Sequence, residues 1–230
     1  ALDSVTIPDS VTSIGASAFR YSGIRNLSIG SGVAELKKET FGHCENLETV
    51  YLAEGVKNVG NDYTESFVFV GCTNLRSVSL PEGLETIGSG AFQNCVSLTE
   101  ITIPSTVKKL SSGIFQGSGL VRVTLAEGIS EEAWSSASFN GCESLKYVNI
   151  PSNWTRIPGQ FLCGVTGPLE ISIPYGITEI GSFAFQNCTG MKSVTIPSSV
   201  TKIGAYAFYN CGFTSLTIPD SVTELGSFAI

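Results

Sequence analysis

Histidine is almost missing from this chain: there is one in 230 residues, beside one methionine and two tryptophans. A single imidazole cannot build a His-rich metal site, and any histidine acid–base chemistry hangs on His43 alone. Basic residues are scarce as well, 13 Lys and Arg against 20 Asp and Glu, for a formal charge of −7. A nucleic-acid reader needs a concentrated positive field, so no nucleic-acid partner is expected. No apolar run approaches the roughly 18–20 residues of a membrane-crossing helix, so this segment is not expected to insert into a bilayer. A phosphate loop, an H-E-x-x-H helix and an acid-rich calcium loop are all absent, and no cofactor or metal is expected.

What the chain has is a repeated sentence. EITIPSTVKKL, SVTIPSSVTKI, SLTIPDSVTEL and SVSLPEGLETI share one pattern, which continues as I-G-x-x-A-F-x-x-C. Units open near residues 2, 24, 47, 75, 98, 120, 145, 168, 191 and 213, at intervals of 22 to 28 residues, so residues 1–230 form a single array. Extra residues near 60–68 and 130–138 are expected to be loops. In the eighth unit Pro168 stands where the others open on an apolar residue, and in the seventh Phe161–Leu162 replaces the Ala–Phe pair.

Each column has a physical reading. The V-x-I segment alternates with the period of a strand buried on one face, so pairs such as Val50/Leu52 and Ile101/Ile103 point inward. The following Pro has no amide donor and ends the strand. A second apolar pair, such as Val200/Ile203, packs from an opposite wall, and Gly60, Gly88, Gly181, Gly204 and Gly226 are read as tight corners. Phe19, Phe41, Phe69, Phe92, Phe115, Phe139, Phe185 and Phe208 form a stacked spine, broken at Leu162. Burial within one unit does not cover the entropy of ordering it, so stability is expected to come from stacking.

Six of the seven cysteines (Cys44, Cys72, Cys95, Cys142, Cys188, Cys211) share one column, three residues after the spine ring. Other units place Ser22, Ser118 and Val165 there, so the slot selects small size and the cysteines are read as buried free thiols. Cys163 lies outside the column. His43 and Cys44 are adjacent, but the thiol belongs to the buried column and the pair is not read as a catalytic dyad.

The combined I-P, I-G, A-F and C positions resemble the BspA-like leucine-rich repeats of bacterial and protist cell-surface proteins, over the whole chain. The resemblance implies a leucine-rich-repeat solenoid of ten stacked units, rich in β-strand with short helical turns, and with one parallel sheet along one face. It also implies a secreted or cell-surface location and a non-catalytic role in recognition or adhesion. The partner is then an unknown protein or glycan on a host or neighbouring cell surface. The alternative is an architectural spacer that presents another domain of a longer surface protein. Neither end carries a polar capping unit, so the chain reads as part of a longer protein, and end-to-end self-association is left open.

Binding residues are sought where the outward strand columns depart from Ser and Thr. Tyr51, Arg76, Glu100, Arg122, Lys146 and Tyr147 interrupt them in the middle of the array. Aromatic and Arg side chains are the usual anchors of protein-recognition patches. Asp62, Tyr63 and Trp134, in the two insertions, are the candidate loop residues.

Overall fold

Inward–outward alternation in each unit becomes a short strand, and the strands stack unit on unit as parallel neighbours. The computed structural model describes residues 2–61 and 65–230. In chain order the strands are β1 (Ser4–Ile7), β2 (Asn26–Ile29), β3 (Glu35–Leu36), β4 (Thr49–Leu52), β5 (Asn58–Val59), β6 (Ser77–Ser79), β7 (Thr86–Ile87) and β8 (Glu100–Ile103). They continue as β9 (Lys109–Leu110), β10 (Arg122–Leu125), β11 (Tyr147–Val148), β12 (Arg156–Ile157), β13 (Glu179–Ile180), β14 (Lys202–Ile203) and β15 (Glu224–Leu225). A 3-10 turn, Glu131–Ala133, is the single helical element among the described residues, and the other short helical turns expected are plain turns.

The molecule is a parallel β-solenoid of ten rungs, and its ladder lies on two walls rather than one. The front wall holds β1-β2-β4-β6 and β8-β10-β11. The second wall holds β3-β5-β7-β9 and β12-β13-β14-β15. In most rungs the second member of the apolar pair expected to pack from the opposite side, such as Ile203 of Val200/Ile203, thus lies in a strand of its own, of two residues. The brevity of these strands hid them from the alternation pattern, which needs about four residues to register. The second wall breaks at the sixth rung, where the 3-10 turn takes the place of a strand.

The third side is the turn that carries the spine. Successive rings from Phe19 to Phe139 stack with centroids 5.2–5.7 Å apart and planes within 15° of parallel. Leu162 interrupts the spine and Phe185–Phe208 resume it at 5.3 Å. Backbone hydrogen bonds reverse direction here. On the front wall Asn26 N–H donates back to Asp3 O, whereas Phe92 N–H donates forward to Ile114 O at 2.8 Å. Every rung is therefore tied to both neighbours.

Two columns resolve differently from the sequence reading. The corner glycines are required mostly by close approach rather than by backbone angle. A Cβ on Gly204 would stand 2.5 Å from Ser182 N and one on Gly226 2.4 Å from Ala205 N, while in that column only Gly60 has a left-handed φ, of 79°. In the eighth rung Pro168 is exposed, and Leu169, 2% exposed, fills the opening slot one residue late.

The cysteine column is a hydrogen-bond ladder as well as a packing column. Cys44 donates to Phe19 O at 3.0 Å, Cys95 to Phe69 O at 3.2 Å and Cys188 to Leu162 O at 3.2 Å. Ser in the same slot is also bonded along the column, Ser22 with the Cys44 thiol at 3.2 Å and Ser118 with the Cys142 thiol at 3.5 Å.

Candidate functional site

Proline decides where the front wall is continuous. In a full rung, the residue after the strand donates its N–H to the previous rung: Gly30 to Ile7 O, Ala53 to Ile29 O and Ala126 to Ile103 O, at 2.9–3.0 Å. These three junctions pair over four residues each. At the other six junctions the donor position holds Pro81, Pro104, Pro151, Pro174, Pro197 or Pro219, and pairing shortens or ends. β4 and β6 keep three pairs, and β10 and β11 keep two. At the latter junction the Asn149 side chain substitutes for the ladder, accepting from Leu125 N at 2.7 Å and donating to Leu125 O at 2.8 Å. Between β6 and β8 no backbone hydrogen bond forms, and the strands part.

The parting opens a front-wall cleft of about 460 Å³. Arg76, Glu100 and Arg122, all sequence candidates, line it together with Glu82, Thr99 and Thr102. Similar clefts open at the eighth–ninth and ninth–tenth junctions. The first of the three is set apart by two guanidinium groups and two carboxylates around one opening. Glu82, Thr99 and Thr102 were not foreseen. Consecutive Pro81 and Pro104 were the available signal.

The remaining candidates divide. Glu100, Arg122 and Tyr147 are cross-strand neighbours in one outward column, and Tyr147 is bridged in turn to Glu170. The Arg122 guanidinium lies 4.5 Å from the Tyr147 ring centroid and the Lys146 ammonium 5.0 Å from it. Lys146 also pairs with Glu170 at 3.2 Å, and hydrogen bonds to Tyr147 and Glu170 hold its pKa above the ordinary lysine value. Tyr51, 53% exposed, stands in the other outward column between Ser28 and Ser79. Four rungs, about 19 Å at ordinary strand spacing, separate it from Tyr147. It flanks the cleft and does not join the cluster.

Trp134 must be corrected from loop to core. It is 7% exposed, bridges in parallel to Leu110 and packs against Phe139, Trp154 and Phe161. The residue sits in the inward column of the second wall, the sixth-rung counterpart of Leu110 and Ile157. Phe161, in the slot where most rungs hold a smaller residue, meets it edge to face with centroids 5.0 Å apart. Asp62 and Tyr63 lie outside the described residues.

His43 and Cys44 diverge. The imidazole stacks on Tyr21 at 5.1 Å over the outer turn, while the thiol points inward to Phe19 O. Among the described residues no three His, Cys, Asp or Glu side chains converge as a metal site. No helix among the described residues is long and apolar enough to cross a membrane.

The sequence profile of the BspA type leucine rich repeat region matches residues 1–64, 62–169 and 166–230, in six copies. The chain belongs to that family. Among solved structures it is similar to a leucine-rich repeat protein from Bacteroides ovatus, with 28% identity and a TM-score of 0.64, covering 97% of this chain and 53% of that one. The pneumococcal vaccine antigen PcpA (23% identity, TM-score 0.55, 97% and 58% coverage) shares the fold. So does a leucine-rich repeat protein from Eubacterium ventriosum (18%, TM-score 0.53, 97% and 63%). This BspA-type chain spans 53–63% of the length of those three proteins. A comparison with curated proteins returns no match.

Proposed function

We propose that this BspA-type array is a non-catalytic recognition module of a secreted or cell-surface protein. It takes hold of a protein or another surface molecule through the middle of its front wall. The observation that carries this reading is the convergence of Arg76, Glu100 and Arg122 on one cleft, with the Tyr147 ring held against Arg122 one rung away. An opening of mixed charge beside an Arg–Tyr pair offers ion-pair and aromatic anchors on a rigid sheet. Surface placement is supported by family membership and by the likeness to a vaccine antigen.

The test is solid-phase binding of the full chain to immobilised extracellular-matrix proteins, beside Arg76→Ser/Arg122→Ser/Tyr147→Ser. A recognition module loses tenfold or more in affinity while its Tm holds within about 2 °C, because all three side chains are outside the core. The architectural-spacer reading, favoured by the Ser and Thr that fill the front wall elsewhere, expects no binding or no difference between the two proteins.

A further inference from the structure

The outer side of the spine turn carries a hollow of its own, remote from the front-wall cleft. Two residues before each spine position the backbone is left-handed in most rungs, and the side chain there points outward. The column includes Phe67 (φ 47°), Gly90, Gly113, Phe183 (φ 62°), Tyr206 (φ 56°) and Phe228 (φ 53°). In the last three rungs the rings cover one another, Phe183–Tyr206 at 5.2 Å and Tyr206–Phe228 at 5.1 Å. At Gly90 and Gly113 there is no side chain, and a groove of about 390 Å³ remains, near the lower end of small-ligand sites.

The groove is built from hydrogen-bonding groups around an aromatic wall. Phe67 leans over Gly90, its Cδ1 2.2 Å from where a Cβ would stand, so that side is closed. Over Gly113 only the Gln116 side chain comes within reach, with Oε1 at 3.2 Å, so that part is open. Gln93, Gln116 and Asn140 place one carboxamide per rung along the groove, and the hydroxyls of Ser89 and Ser112 bond each other at 2.9 Å across its floor. Among the described residues the only ionisable one lining it is Glu65.

We propose that this groove binds a neutral glycan through its hexopyranose rings. Sugar hydroxyls both donate and accept, as carboxamides do, and three such groups in register meet them without an ion pair. The apolar C–H surface of the sugar packs against Phe67. A peptide is the poorer fit, because the backbone beneath the groove is already paired. Gly90 N–H donates to Ser112 O at 3.1 Å, Gly113 N–H to Ala137 O at 2.8 Å and Asn94 N–H to Gln116 O at 2.9 Å. That leaves no free strand edge for main-chain recognition.

Affinity electrophoresis of the full chain through mannan, laminarin, xyloglucan and dextran tests the proposal, with heparin as the anionic control. At least one neutral polysaccharide should retard the protein, and heparin should not. Gln93→Ala/Gln116→Ala should weaken that retardation tenfold or more with Tm unchanged, since these side chains lie at the surface. Phe67→Ala should repeat the loss. The front-wall triple variant should be retarded like the parent, so a failed recognition surface and a failed glycan groove give different results. The proposal is overturned if none of the four polysaccharides retards the chain, or if the double variant is retarded like the parent. It is equally overturned if display-selected peptides bind the groove and no glycan does.

Discussion

Trp134 and Trp154 pack edge to face with ring centroids 6.0 Å apart, yet only one indole N–H has an acceptor. Trp154 Nε1 donates to Ile129 O at 2.8 Å, while Trp134 Nε1 is buried without a partner. A buried unmade hydrogen bond costs on the order of 1–3 kcal/mol, and a made one contributes roughly 1. Trp134→Phe should therefore be less damaging than Trp154→Phe by about 1 kcal/mol or more, because both lose similar volume and only the second breaks a bond. Urea unfolding of the two variants measures the difference, and equal losses would refute the assignment.

Pro104 holds the front-wall cleft open by withholding a donor from Leu80 O. Pro104→Ala should supply that amide and draw β8 towards β6. Hydrogen exchange should then find the new amide protected and the amides of β8 slowed. Pro219→Ala is the control: it supplies the same kind of amide at the ninth–tenth junction, remote from β6 and β8. Partner binding at the cleft should fall in Pro104→Ala and persist in Pro219→Ala.

Two buried thiols of the column, Cys95 and Cys142, make stability fall at alkaline pH. Burial pushes Cys95 up to about 12 from an ordinary 9.0, and burial likewise raises Cys142. A raised folded-state pKa means that the unfolded chain loses its proton first. The contribution is intact below pH 9 and drains away as pH climbs from about 9 towards 12, at up to about 1.4 kcal/mol per pH unit per thiol. Cys95→Ser should flatten this decline while costing little at pH 7, since Ser already serves at Ser22 and Ser118. Alkylation of the native protein should mark the half-buried Cys163 ahead of Cys95 and Cys142.

Much of the fold was legible because its signals are local and repeated. Ten copies of one alternation identify the inward columns of the front wall, and eight Phe residues at one position locate the spine and its gap at Leu162. The opposite wall was legible as an apolar pair, but its strands were not, because two-residue strands carry no period. The left-handed turn columns escaped too, although Asn94, Asn187 and Asn210 beside Gly71, Gly117, Gly141 and Gly164, two residues after the spine position, were their trace. The candidate recognition residues were legible as departures from Ser and Thr, but their grouping was not. Arg76, Glu100 and Arg122 line one opening only because β6 and β8 part.

The amino-acid order alone settles the rung length, the inward faces, the aromatic spine and the small thiol column, since each depends on spacing within one unit. Tertiary structure alone decides that Trp134 turns inward, that Leu169 replaces Pro168, and that hollows open beside Arg122 and over Gly113. Those outcomes depend on what the adjacent rung, 22–28 residues away, leaves unfilled or unpaired, and a distance of one full coil is where local pattern stops and packing begins.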